Sequence, residues 1–326
     1  MSNTEEHESR PFTSAPEPSG PAQRGGQELW IHDEGHPYGH FHTYDALALA
    51  GHPARKVHVF LPRQGTAAPP GGYPVVYMND GQSVFWPGGL GNKSWQVAET
   101  LSHLAAAQAI APLMVVAIHP LDREREYTHR PFSPGHTCCG LPEYTDYVAH
   151  HLKPFIDAHY PTAPAPRDTA IVGSSYGGLA SFYMATRAPH VFGKAGVVSP
   201  AFWVDMGWHY ELRRGWRIDQ GELIPAVAEL LADPQRRPIL WLDWGLIHTG
   251  GFHNEVIESL STVLGRAMVE LLQQRFAYRL GVDLQVCEDP QGEHDEVSWS
   301  RRLPDLLRFL YPPSSPQRAA PSTADA

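Results

Sequence analysis

This sequence predicts an α/β fold, a mostly parallel central sheet with helices on both faces and a lid built from loops. Three observations carry that expectation. Short β-rich runs alternate with helical patterns along the chain. Most of those runs are continuously apolar, as strands buried on both faces are, rather than alternating in polarity. One of them, Ile171-Val172-Gly173, breaks into Gly173-Ser174-Ser175-Tyr176-Gly177 and passes at once into the helix-like stretch Leu179 to Arg187.

At 326 residues and 42% hydrophobic content, the chain can bury a full core within one α/β unit. Residues 1–27, rich in Ser, Pro, Glu and Gly, are expected to be a disordered leader. Residues 28–311 are expected to form the catalytic domain, and residues 312–326, rich in Pro, Ser and Ala, a disordered tail. The strands in order are Lys56 to Leu61, Pro74 to Met78, Leu113 to Ile118, Thr169 to Gly173, Ala195 to Ser199, Ile239 to Asp243 and Leu284 to Glu288. Between them fall helices over Trp95 to Gln108, Glu143 to His159, Leu179 to Arg187 and Ile257 to Phe276, and a closing helix over Glu296 to Leu310. Trp95, Leu101 and Leu104 recur at helical spacing, as do Leu152, Phe155 and Ile156, and these are core stripes.

Two longer stretches interrupt the alternation. His119 to Leu141 follows the carboxyl end of a strand, the side on which open α/β sheets bind ligands, and is expected to overhang a site. Ala201 to Gly221 carries Trp203, Trp208, Tyr210 and Trp216, which suit a lid or substrate wall as well as a satellite core.

The chemistry is read from Ser175. Small residues two positions before and after it let a strand turn sharply into a helix, leaving the hydroxyl at the strand's carboxyl end beside free helix N–H groups. A serine hydroxyl needs a base, usually a histidine held in one tautomer by a carboxylate. Among 19 histidines, His294 stands just after the last strand and before the last helix, in the chain order Ser, acid, His. The acid is expected between them, after Ile239 to Asp243. Glu255, which a Gly250-Gly251 approach can swing back, is preferred, with Asp243 as the alternative and Glu258 also in place. The N–H groups of Tyr176 and of Gln82, in the turn Asn79-Asp80-Gly81-Gln82, are expected to form an oxyanion hole.

Trp203 and Arg130 are candidate substrate contacts, although the acids around Arg123, Arg125 and Arg130 also suit a self-neutralising loop. The stretch from His32 to His42 holds four histidines and two acids, ligands zinc accepts, but its Gly and Pro residues read as a polar surface loop and no metal is expected. The adjacent Cys138 and Cys139 read as small apolar residues, and three cysteines make no disulfide framework. A formal charge of −10 opposes nucleic acid and anionic membrane, and no apolar segment suggests a signal peptide or anchor, so a cytoplasmic enzyme acting on a small molecule is expected.

The turn Tyr73 to Gln82, the stretch Leu152-Lys153-Pro154-Phe155-Ile156-Asp157, the elbow Gly173 to Gly178 and Phe192-Gly193 to Ser199-Pro200 together resemble the putative esterase family. This is the branch of the α/β hydrolases that includes esterase-D and enterochelin esterases, and the resemblance covers about Arg55 to Tyr311. It implies an α/β-hydrolase fold, no cofactor, and a triad of Ser175, an acid after Asp243, and His294. It also implies an oxyanion hole at Gln82 and Tyr176. The chain departs from the family pattern at the acid, since Leu246, Ile247 and His248 follow Gly245. The expected activity is hydrolysis of a small-molecule carboxylic ester through an acyl-enzyme. The alternatives are acyl transfer from the same intermediate and a catalytically inactive binding protein on the same fold.

Overall fold

The computed structural model describes residues 19–313, apart from 64, 65, 67, 70, 90, 133, 134, 207, 212–214, 219, 220 and 250–254. Strands β1 (Gly20–Arg24), β2 (Gln27–His32), β3 (Gly39–Leu47) and β4 (Arg55–Pro62) form an antiparallel entry to the sheet. Then follow β5 (Val75–Met78), the short helix α1 (Gly81–Val84), α2 (Val97–Ala106), β6 (Met114–Ile118) and α3 (Arg123–Tyr127). A helical run comes next, made of α4 (Leu141–Tyr147), a π-helical turn over Val148–Leu152, and α5 (Lys153–His159). It leads into β7 (Thr169–Ser174), α6 (Tyr176–Arg187) and β8 (Lys194–Val198). A hairpin of β9 (Trp208–Glu211) and β10 (Gly215–Ile218) and the short α7 (Ala228–Leu231) precede β11 (Ile239–Gly245). The chain closes with α8 (Glu255–Phe276), β12 (Leu284–Asp289) and α9 (Glu296–Leu310).

Ten strands share one sheet in the order β1-β2-β3-β4-β6-β5-β7-β8-β11-β12, antiparallel as far as the β4–β6 pair and parallel beyond it. The buried runs read from sequence are its centre: every residue of β5, β6 and β7 is buried. Two apolar clusters lie on its two faces. One gathers Leu101 and Leu104 of α2 with Trp299, Leu303 and Leu306 of α9, and the other gathers Tyr144, Leu152, Leu179, Phe182, Leu264 and Met268. Burying a large apolar side chain is worth about 1.5–3 kcal/mol, so these two layers fix the sheet and with it the positions of its strand ends.

The antiparallel entry departs from the expected pattern. Gly20–Arg24 is a strand inside the stretch read as leader, joined to β2 by a turn at Gly25 and Gly26, both at positive φ. Its Arg24 stacks over the Tyr160 ring and donates to the His159 carbonyl, so a polar sequence is tied down by an edge ladder without an apolar face. The first four residues of β3 fall in the histidine-rich stretch read as a surface loop. His40 and His42 are buried there, with His42 against the Tyr160 hydroxyl at 3.1 Å, so hydrogen bonds take the place of the apolar run that marks the central strands. Cys138 and Cys139, read as apolar fillers, are joined to each other by a disulfide. Among the described residues no helix is long and apolar enough to cross a membrane.

Candidate active site

Ser175 follows the last residue of β7 and caps α6 at φ 57° and ψ −120°, a backbone conformation that costs an L-residue strain and persists only where its surroundings enforce it. The enforcement is visible. Its N–H donates to the Val198 carbonyl, and its own carbonyl accepts from Leu179 and Ala201, all at 3.0 Å. A Cβ on Gly173 would stand 2.6 Å from the Gly177 carbonyl oxygen, and one on Gly178 would stand 2.7 Å from that of Val198. Only glycine at both positions lets α6 leave the sheet so closely.

The turn expected to supply the oxyanion donor is held from both sides. Asn79 donates to the Gly177 carbonyl at 3.2 Å and to the Ser181 hydroxyl at 3.1 Å, and it accepts from Tyr144 at 2.7 Å, which clamps the turn to the first turn of α6. Asp80, at φ 58°, receives Arg123 in a two-pronged ion pair at 2.7 and 2.8 Å and accepts Gln82 Nε2 at 3.2 Å. Arg123 also lies over the rings of Tyr127 and Tyr176. The stretch from His119 to Leu141 therefore does reach the site, through an arginine whose charge Asp80 neutralises rather than one free for substrate.

His294 sits between β12 and α9. Asp295 caps α9 by accepting the Ser298 N–H at 2.8 Å, and Ser298 accepts the Glu293 N–H at 2.9 Å, so the residue between these anchors is fixed by the helix start. The ring lies edge-on to Trp299 at 5.4 Å between centroids, with Trp203 at 6.4 Å. At its Nδ1 stands Ser261 Oγ, 3.4 Å away, and Ser261 in turn donates to the Ser199 carbonyl at 3.3 Å.

These groups line one cleft of about 520 Å³. Ser175, Tyr176, Gln82, Trp203, Trp299 and His294 face it, together with Asp80, Arg123, Glu124, Asp295 and Glu296. Ser175, His294, Tyr176, Gln82 and Trp203, all nominated from the sequence, thus line one cleft. The Glu296 carboxyl is pushed up to about 6, by burial first and then by the charges of Asp295 and Asp80.

Glu255 and Asp243, the carboxylates expected to support His294, are not among the residues that line the cleft. Glu255 opens α8 exposed, on the outer face that it shares with Ser259 and Val263 at four-residue spacing. Glu258, Ser261, Thr262 and Gly265 turn inward instead. The Gly250-Gly251 approach lies outside the described residues. Asp243 is fully buried, with its carboxylate on Arg302 at 2.9 Å and on the Trp241 ring nitrogen at 2.6 Å. Arg302 reaches on to Ser199 Oγ at 3.1 Å and Asp289 at 3.3 Å, so Asp243 belongs to a knot that fastens α9 to the ends of β8, β11 and β12.

Arg130 does not line the cleft. It donates to Asp205 at 3.0 Å, and Asp205 also accepts the N–H groups of Glu222 and Leu223. Burial would raise the Asp205 carboxyl, but His129, Arg130 and those two N–H groups hold it well below the usual carboxylate range. Arg130 thereby ties the loop before α4 to the segment around Trp203. Trp208, Tyr210 and Trp216, the other aromatics of the expected lid, lie outside the described side chains.

The stretch from His32 to His42 forms structure of its own: Asp33 pairs with Arg63, Glu34 accepts the Trp86 ring nitrogen at 3.0 Å, and His42 meets Tyr160. Ser261 and Trp299 escape a reading of the sequence because a serine or tryptophan on an amphipathic helix is ordinary. The Asp80–Arg123 pair carries a signal only once the turn and the loop are known to meet.

Fold and cleft together define an α/β hydrolase. More narrowly, the chain belongs to the family described as Putative esterase, whose model matches residues 52–310. Among curated proteins it is 28% identical to the Bacillus subtilis (strain 168) uncharacterized protein YbbA over 165 residues, 48% of this chain and 62% of that one. It is 30% identical to the uncharacterized protein YjcH of the same organism over 129 residues, 39% of this chain and 49% of that one. The chain thus covers less than two thirds of either relative. Among solved structures, the BES protein from Bacillus cereus has a TM-score of 0.59 at 18% identity, covering 95% of this chain and 99% of that one. The enterobactin esterase FES from Shigella flexneri has a TM-score of 0.59 at 19% identity, over 83% and 58%. At such identities the likeness is one of fold.

Proposed function

We propose that the chain hydrolyses a small-molecule carboxylic ester through an acyl-enzyme on Ser175, with His294 as the base. The observation that carries the reading is the strained turn at Ser175, which opens into the same cleft as His294. With its proton on Nδ1, where Ser261 Oγ stands 3.4 Å away, the imidazole keeps on Nε2 the lone pair a general base needs. Ser175 loses its proton to Nε2 as its Oγ attacks the ester carbonyl, and the oxyanion forms toward the N–H groups of Tyr176 and Gln82. His294 returns the proton to the leaving alcohol. Water then repeats the cycle on the acyl-enzyme.

Substrate character follows from the walls. Trp203, Trp299 and Tyr176 favour a flat or apolar group, while Asp80, Glu124, Asp295 and Glu296 surround a single arginine that is already paired. Such a cleft disfavours an anionic acyl group and suits a neutral one. A fluorophosphonate probe is expected to label the protein once, with labelling and p-nitrophenyl ester hydrolysis both lost in Ser175→Ala. Labelling that persists in that variant overturns the assignment.

A further inference from the structure

A second cluster of chemistry-bearing side chains lies away from this cleft, between the loop joining β3 to β4 and the π-helical turn that follows α4. Ligand atoms of His52, Asp146 and His151 all fall within 4.8 Å of one another. We propose that these residues form a binding site for a divalent transition metal, with zinc as the ion that fits.

The backbone explains why they meet. Asp146 and His151 are five residues apart, a spacing that an α-helix would place well around its axis from one another. The π-helical turn over Val148–Leu152 widens the helix there, and His151 Nε2 comes to 3.9 Å from Asp146 Oδ2. On the opposite side His52 is held by its own N–H bond to the Leu49 carbonyl at 3.0 Å and by edge contact with the Tyr147 ring at 5.1 Å. Its imidazole packs against that of His151 with 4.3 Å between centroids. Both imidazoles are half-buried, so their rotamers are partly fixed before any ion arrives.

The donor set selects the ion. Two imidazole nitrogens and one carboxylate oxygen suit borderline ions such as zinc, cobalt or nickel, whereas magnesium and calcium prefer oxygen alone. Zinc binds nitrogen and oxygen at about 2.0–2.2 Å, which small side-chain rotations from the present spacing would supply. The carboxylate already has its outer support. His150 Nδ1 lies 2.8 Å from Asp146 Oδ1 and, donating, leaves Oδ2 turned toward His151. An ion here would join the β3–β4 loop to the helix pair beneath the active-site loop, and its role would be that of a staple on the fold.

The test uses the full chain, free of any histidine tag and stripped with a chelator, titrated with zinc chloride against a chromophoric zinc indicator. One zinc per chain is expected, and His52→Ala, His151→Ala and Asp146→Asn should each weaken it by about tenfold or more with unchanged far-ultraviolet circular dichroism. His294→Ala should keep the ion, which separates this site from the cleft. Zinc should raise the unfolding temperature of the wild type and not that of His52→Ala. Undiminished binding in a His52→Ala/His151→Ala double variant, loss in His294→Ala, or no uptake at about 100 µM zinc overturns the proposal.

Discussion

Beside Nδ1 of His294 stands the hydroxyl of Ser261, and the weight of such a contact has a size. A neutral hydrogen bond contributes about 1 kcal/mol, less at the 3.4 Å seen here, while removing a triad carboxylate costs about 10⁴ in kcat. Ser261→Ala is therefore expected to lower kcat/KM on a p-nitrophenyl ester by about three- to tenfold. A fall of about 10³ or more would show Ser261 bearing the whole tautomer control. The same residue marks the limit of what the sequence discloses about the site. Ser175, His294, Tyr176, Gln82 and Trp203 are legible because strand-to-helix turns and chain order carry their own signatures. The group at Nδ1 is not, because its identity depends on which face of α8 meets the end of β8, and a helix's phase against its neighbours is a tertiary property.

Among the elements, α9 does more than close the chain. Its Arg302 meets Asp243 deep below the cleft, and breaking one half of a buried ion pair costs about 3–5 kcal/mol because the other charge is left stranded. Asp243→Asn should lower the unfolding temperature by several degrees while leaving kcat per probe-titrated site little changed. An intact melting temperature with lost kcat would return Asp243 to the catalytic role it was weighed for. The parallel strands and long helices were readable because each is a continuous apolar run or an amphipathic period. Strands β1, β2 and β3 were not, since in β3 His42 and Thr43 fill with hydrogen bonds the space that apolar side chains fill elsewhere, and a polar pattern without period resembles a loop.

For the molecule as a whole, those buried imidazoles set an acid limit. Burial, reinforced by neighbouring positive groups, lowers His42 and His58 to about 3, and burial with Lys56, partly opposed by Asp80 and Asp45, lowers His119 to about 4. The unfolded chain takes up these protons near the ordinary histidine value of about 6.5, whereas the folded chain does not until far lower, so the unfolded state binds more protons throughout that window. Stability should be flat above about pH 7 and fall as pH drops from about 6.5 toward 4. Thermal melts at intervals from pH 8 to pH 4.5 check it, and a melting temperature that rises on acidification would contradict it. The bend at Ser175 affects the same quantity from another direction. A positive-φ conformation of this kind costs an L-residue about 1–3 kcal/mol, more than the roughly 0.5–1 kcal/mol that glycine loses by its freedom in the unfolded chain. Ser175→Gly should therefore yield a protein that is catalytically dead and melts about 2 °C or more higher. Selection for thermal endurance alone would drift toward that variant, so a serine at this bend is what the proposed acyl-enzyme chemistry asks for and what stability does not.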